Sequence, residues 1–306
     1  MAGMCEGRVA IVTGAGRGIG REHALMLASE GAAVVVNDLG ASPAGEGADL
    51  GPANEVVAEI EAMGGRAIVN GTNVTSFAES EAMVAQAVDT FGRLDILVNN
   101  AGILRDRMVF SMTEEEWDAV VAVHLKGHFC PTRHAAAYWR EQSKAGNPVD
   151  ARIINTAPPS GLYGNPGQAN YGAAKAGIAG FTMVCALELG RLGVTANCLA
   201  PTAMTRLVEP LMGGADNITD EVREAISPRW VATVATWLAS PAAKGVTGRV
   251  FDVRGETIAI AEGWHRGPDG INAGDPASAG KVIEQLLASA RPNADLDGRD
   301  DPTRFG

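Results

Sequence analysis

Residues 8–21 read Arg8-Val9-Ala10-Ile11-Val12-Thr13-Gly14-Ala15-Gly16-Arg17-Gly18-Ile19-Gly20-Arg21, and this stretch decides the fold. The run up to Thr13 is continuously apolar or β-branched, the pattern of a strand covered on both faces. Glycines follow at the spacing G-x-x-x-G-x-G, with Arg21 where a G-x-G-x-x-G turn would place its last glycine. A helical pattern over 22–29 comes next. Strand, glycine turn and helix in this order bring free N–H groups and the helix dipole to an anion that the glycine backbone can approach closely. A glycine turn without a ligand is the rival for a lone motif; the flanking strand and helix weigh against it.

Working outward, further β-rich runs are expected at 33–38, 66–70, 94–99, 152–156, 194–199 and 249–253, making seven strands in all. They too are continuous (Val34, Val35 and Val36; Ile96, Leu97 and Val98), and helical periodicity lies between them at 54–63, 79–91 and 173–189. The expected fold is a single-domain, doubly wound (Rossmann) α/β structure, a parallel seven-stranded sheet with helices on both faces. Residues 1–255 form the dinucleotide-binding domain in this reading. Residues 256–306 form a C-terminal extension with one helix near 281–290 and an end packed on the domain or on a partner subunit. The stretch 40–52, rich in Gly, Ala and Pro, is a further addition.

The second strand ends on Asp38, 18 residues beyond Gly20, where a carboxylate accepts from the adenosine ribose hydroxyls and repels a 2′-phosphate. NAD is therefore the expected cofactor, although Arg17 offers a possible phosphate partner. The formal charge of −11, without a Lys/Arg cluster, gives no footprint for nucleic acid or an anionic membrane. Four scattered cysteines, Cys5, Cys130, Cys185 and Cys198, suit reduced thiols better than a zinc site or disulfides. With no leader pattern and no uninterrupted apolar run of bilayer length, a cytoplasmic protein without a metal is expected.

Together with the glycine turn, Asn99-Asn100-Ala101-Gly102 and Tyr171-Gly172-Ala173-Ala174-Lys175 resemble the short-chain dehydrogenase/reductase family over about residues 7–255. Within it, residues 35–40, 102–107 and 164–171 look like the (3R)-hydroxyacyl-CoA dehydrogenase domains of peroxisomal multifunctional enzymes and their bacterial relatives, which handle acyl-CoA or steroid-related substrates. Hydride loss from an alcohol carbon requires a base for the hydroxyl proton. Tyr171 is that candidate, with Lys175 one helical turn on to lower the phenol pKa by its charge. The resemblance further implies that Lys175 holds the nicotinamide ribose. It implies cofactor contacts from Gly14, Arg17, Gly18, Ile19 and Gly20; Asp38 and Leu39; Asn73 and Val74 beside the adenine; Asn100, Ala101 and Gly102 along the ribose; and Pro201, Thr202, Ala203 and Thr205 at the carboxamide. Asn73 stands where aspartate is usual, with an amide oxygen able to accept from the adenine amino group, and Thr202 stands where glycine is usual.

The pattern breaks at the family's substrate-orienting serine, 13 residues before the tyrosine, which is Pro158 here and has neither hydroxyl nor N–H. Two residues on, Ser160 either brings its hydroxyl to the missing position or is a loop hydroxyl bonded to its own backbone; Thr156 is the candidate on the other side. His124, where the family has asparagine, either passes protons through water to Lys175 or packs and bonds a backbone carbonyl. The reading is an NAD-dependent dehydrogenase of 3-hydroxyacyl-CoA or steroid-like substrates, with a 3-oxoacyl thioester reductase, or a cofactor-binding protein of little turnover, as alternatives. Residues 205–220 are expected to cover the substrate through Leu207, Val208, Leu211 and Met212. A homo-oligomer, dimer or tetramer, is expected to use Ile178, Phe181, Thr182, Cys185 and Leu189 on the far side of the Tyr171 helix.

Overall fold

The computed structural model describes residues 3–205, 218–272 and 274–304. In chain order it runs β1 (Val9–Thr13), α1 (Gly18–Ser29), β2 (Ala33–Asn37), α2 (Gly51–Ala62), β3 (Arg66–Asn70), α3 (Phe77–Phe91) and β4 (Ile96–Asn99). It continues through α4 (Glu114–Val121), a π-helical turn (Ala122–Lys126), α5 (Gly127–Lys144), β5 (Ala151–Thr156), α6 (Pro159–Tyr163), α7 (Ala169–Leu189) and β6 (Val194–Thr202). The last elements are α8 (Asp220–Ala225), α9 (Pro228–Ala239), β7 (Val250–Arg254), β8 (Thr257–Ala261) and α10 (Pro276–Ser289).

The strands form one sheet in the order β3-β2-β1-β4-β5-β6-β7-β8. Every residue of β1, β2 and β5 is buried, as expected of strands covered on both faces. One face is packed by α1, α2 and α9 through Leu27, Val56, Ile60 and Leu238. The other is packed by α3, α5 and α7 through Met83, Ala87, Trp139 and Cys185. Strand order reverses between β1 and β4, and ligands of such sheets bind at the carboxyl ends beside that point.

The expected seven strands become eight, because the extension returns as β8, antiparallel on β7. Its sequence Thr-Ile-Ala-Ile-Ala is almost wholly exposed, so it lacked the buried-strand signature that revealed the others. Two further expectations fail on α7. Ile178, Thr182 and Cys185 are buried in the core, and Phe181 and Leu189 pack against it; the apolar side chains turned outward are Met183, Val184 and Leu187. The continuous helical stretch Ala169–Leu192 is also long and apolar enough by composition to cross a membrane, contrary to expectation, although α7 lies against β6, α6 and α4 as a core helix does. The expected cover residues Leu207, Val208, Leu211 and Met212 lie outside the described residues.

Candidate active site

A cavity of about 590 Å³ opens along the carboxyl ends of the strands. It is lined by Gly14, Arg17, Gly18, Ile19, Asp38, Leu39, Asn73, Val74, Asn100, Ala101 and Gly102, and farther on by His124, Ser160, Tyr171, Lys175, Pro201, Thr202, Ala203 and Thr205. Of the described residues expected in the site, only Gly20 stays off the wall. Its role is packing, since a Cβ there would meet the Gly14 carbonyl oxygen at 2.1 Å and the Asn100 amide at 2.6 Å. That amide donates to the carbonyls of Thr13 (3.1 Å) and Gly14 (3.3 Å), while the Thr13 hydroxyl accepts from the N–H groups of Asn100 and Ala101. The Asn-Asn-Ala-Gly segment thus fixes the shape of the glycine turn from β4.

α1 begins at Gly18 with no side-chain cap and no acidic residue in its first turn, whereas α3, α4, α8, α9 and α10 are all capped by a side chain. Uncapped N–H groups facing a cavity fit the pyrophosphate of a dinucleotide. Beside them the Asp38 carboxylate is held by the N–H groups of Gly16 (2.8 Å) and Gly40 (2.6 Å), with lone pairs left for ribose hydroxyls. These residues fit a nicotinamide dinucleotide. The Asn73 side-chain oxygen accepts from the Thr75 N–H (3.0 Å) and hydroxyl (2.9 Å) in a local turn, so an adenine amino group would have to compete with Thr75 for it.

At the other end, α7 carries Tyr171 and Lys175 on one face. Tyr171 is half-buried and packs edge-on against the His124 ring, 4.9 Å between centroids at 83°. Lys175 is buried; its Nζ donates to the Thr156 carbonyl at 2.8 Å and lies 5.5 Å from the Tyr171 ring centre. The expected lowering of the phenol pKa by Lys175 is absent. Burial, and then the Asp106 carboxylate, push Tyr171 above its ordinary 10, while burial pulls Lys175 down to about 7. A lysine that burial leaves only about half charged at neutral pH has less field to lend its neighbour than a fully charged one.

This burial has a consequence for folding. Between pH 7 and the ordinary lysine value of 10.5 the unfolded chain binds a proton that the folded chain does not, so the lysine's contribution to stability improves as pH rises through that window. Lys175→Met removes the titration. The stability of the variant relative to wild type is expected to be greatest at pH 7 and to decline as pH rises, in thermal denaturation series on both proteins. A difference that stays flat or grows with pH would contradict the buried, depressed lysine.

His124 occupies the π-helical turn between α4 and α5 and is 1 % exposed. Its Nε2 lies 2.8 Å from the Ile103 carbonyl and 3.2 Å from the Ile103 N–H. Assigning the proton to Nε2 by the shorter contact lets it donate to the carbonyl, and Nδ1 is buried without a partner. Burial, and then the charge of Lys175, hold its pKa well below 6.5. Of the two roles open to His124, the structure contains the backbone bond and ring packing.

Ser160 sits in the first turn of α6, which lies directly on α7: a Cβ on Gly161 would be 2.3 Å from the Lys175 Cβ, and one on Gly172 would be 3.3 Å from the Ser160 carbonyl oxygen. Ser160 is thereby brought to the start of α7 that carries Tyr171, and it lines the cavity. Thr156 also reaches the wall, but its hydroxyl donates to the Asn99 carbonyl at 3.0 Å. Pro158 caps α6 in an extended conformation and offers no donor. Sequence reasoning missed Ser42 and Gly45 of the 40–52 stretch, which is tied across the cavity by Leu104 N–H to Pro43 and Arg105 Nε to Ala44. It also missed Ile226, Arg254 and Leu296, which carry no motif and reach the wall only through the fold.

The glycine turn, the Asn-Asn-Ala-Gly brace and the paired Tyr171 and Lys175 on this sheet define a nicotinamide-dependent oxidoreductase, and the chain belongs to the short chain dehydrogenase family, whose profile matches residues 8–210. It is similar to hydroxyacyl-CoA dehydrogenase ChsB1 of Mycobacterium tuberculosis, 42% identical over 96% of this chain and 93% of that one. It is also 42% identical to peroxisomal multifunctional enzyme type 2 of Mus musculus, over 81% of this chain but only 32% of the longer mouse protein. A crystal structure of a short chain dehydrogenase from Mycobacterium avium superposes with a TM-score of 0.84 at 52% identity, covering 95% of this chain and 98% of that one.

Proposed function

We propose that this chain is an NAD-dependent dehydrogenase of 3-hydroxyacyl thioesters, or of comparably bulky steroid-like secondary alcohols, with Tyr171 as the acid/base. The observation that carries the reading is one cavity with Asp38 at its dinucleotide end and Tyr171, Ser160 and Lys175 together at the other. The names of the relatives from Mycobacterium tuberculosis and mouse support the substrate class. Bound along Gly14–Gly20, Asp38 and Asn100, the cofactor would supply the hydride acceptor or donor. Tyr171 Oη exchanges the proton of the substrate hydroxyl, Ser160 Oγ orients the substrate oxygen, and Lys175 holds its end of the ribose while remaining tied to β5 through Thr156. His124 is a positioning residue: its edge-on contact fixes the phenol ring.

The clamped Asp38 carboxylate leads to a definite expectation for cofactor choice. NAD should bind at least tenfold more tightly than NADP, about 1.4 kcal/mol, because a 2′-phosphate would meet that carboxylate. Fluorescence titration with both reduced cofactors measures this, and Asp38→Ala should narrow the gap. Equal or tighter NADPH binding by the wild type would remove NAD from the proposal.

The proposal includes a homo-oligomer, supported by the outward Met183, Val184 and Leu187 of α7 and the exposed Phe129 of α5, a face too apolar for a solvated one. Sedimentation as a monomer at micromolar concentration would contradict it. Buried, unpaired thiols at all four cysteines accord with a reducing cytoplasm, which cell fractionation tests.

A further inference from the structure

The C-terminal residues 293–304 are held by contacts to the site rather than by a core of their own, since none of them, and none of α10 before them, is fully buried. They fold into a tight loop: Ala294 bridges Asp300, Asp295 N–H donates to the Arg299 carbonyl, and Asp301 N–H to the Asn293 carbonyl. Three contacts clamp this loop to the walls of the cavity. Arg304 Nη2 donates to the Gly164 carbonyl at the end of α6 (2.6 Å), and its Nη1 to Ala294 within the loop. Asp297 pairs with Arg254 at the end of β7 at 2.5 Å. Gly298, at φ 78°, lies so close to Tyr163 of α6 that a Cβ would be 2.8 Å from the phenol oxygen.

Between these clamps Leu296 reaches the cavity wall, the only residue beyond Arg254 to do so among the described residues. Its neighbours through the clamps are α6, which carries Ser160, and the end of β7, so it stands at the substrate end, opposite Asp38. We infer that residues 293–304 form a strap closing the substrate end of the cavity, with Leu296 as a specificity-determining residue that selects the apolar group flanking the reacting carbinol. The inference rests on the assignment of Tyr171 and Ser160 to the reacting end, but not on the substrate being a thioester. Pro159 and Ile226 line the same cavity beside the polar Asn165, Gln168 and Arg254, so Leu296 adds to a hydrocarbon part of the wall, suited to an acyl chain or a ring system.

The test uses the full chain and a size series of secondary alcohols from three classes: 3-hydroxyacyl-CoAs, ring alcohols and simple aliphatic alcohols. Leu296 is 40% exposed, so Leu296→Trp and Leu296→Ala should leave the fold and the affinity for NADH unchanged, which melting curves and NADH titration confirm. In whichever class the wild type turns over, Leu296→Trp should lower the ratio of kcat/KM for the largest to the smallest substrate by roughly tenfold, and Leu296→Ala should raise it. Such discrimination is what one or two methylenes of apolar wall supply. A ratio that moves less than about threefold in both variants overturns the inference. Turnover of ring or aliphatic alcohols alone overturns the thioester reading, while the Leu296 ratio in that class still decides the role of the strap.

Discussion

Tyr171→Phe is expected to lower kcat by a factor on the order of 10³, with kcat/KM falling in step and NAD affinity changed by no more than a few-fold. The substitution removes one oxygen. The phenylalanine ring keeps the edge-on contact with His124 at 4.9 Å, so the fold and the cavity wall are preserved. What is lost is the group that exchanges the hydroxyl proton. His124 cannot replace it as a cationic acid, because burial and the Lys175 charge hold it neutral. The same site predicts how the wild type responds to pH. Burial raises the phenol, so the fraction of Tyr171 able to act as a base in alcohol oxidation grows as pH rises, and kcat/KM for oxidation should climb through the alkaline range. In Tyr171→Phe this climb should disappear. Steady-state rates of both proteins across pH, with cofactor saturating, measure both effects; a variant retaining wild-type turnover would remove Tyr171 from the chemistry.

The second large effect concerns the missing serine. Ser160→Ala is expected to lower kcat by a factor on the order of 10², the usual cost of one donor made in the transition state, with no change in NAD affinity. The packing of α6 on α7 sets Ser160 at the start of the helix that carries Tyr171, Pro158 has nothing to donate, and the Thr156 hydroxyl is engaged with Asn99. Adding Pro158→Ser to the Ser160→Ala variant should restore part of the loss, because it returns a hydroxyl to the spacing at which the family carries one. If Ser160→Ala is silent while Pro158→Ser raises turnover on its own, the site works without a hydroxyl donor and Ser160 has only a structural part.

The elements that could be read from the chain are those whose cause is local. Runs such as Ala33-Val34-Val35-Val36 are apolar because both faces are covered, and the glycine turn is marked by positions, Gly14 and Gly20, where a Cβ would come within 3 Å of other backbone. Helix starts were harder: α1 begins at Gly18 and α7 at Ala169, each four residues before its apolar periodicity becomes visible. α7 also shows why its outward face was misassigned. Gly, Ala and apolar residues occur all around it, so periodicity does not mark a side, and only packing shows that Ile178 and Cys185 face inward while Leu187 faces out. β8 lacked any burial signal. At the site, the residue types of Tyr171, Lys175 and Asp38 announced the chemistry, but the sign of the Tyr171 shift depends on how much of Lys175 is buried, which no spacing records. Leu296 stands at the cavity because the tail returns across α6 and β7, through a contact such as that of Arg304 with Gly164, 140 positions away.

The central claim is that hydride passes between a substrate carbinol carbon and the nicotinamide while Tyr171 handles the proton. It is tested most directly with a 3-hydroxyacyl-CoA carrying deuterium on carbon 3, incubated with NAD and the wild-type chain. The account predicts that the deuterium is recovered on the reduced nicotinamide, none of it in water, with slower reduction than for the unlabelled substrate. Absence of cofactor reduction, or release of the label to water, would contradict it.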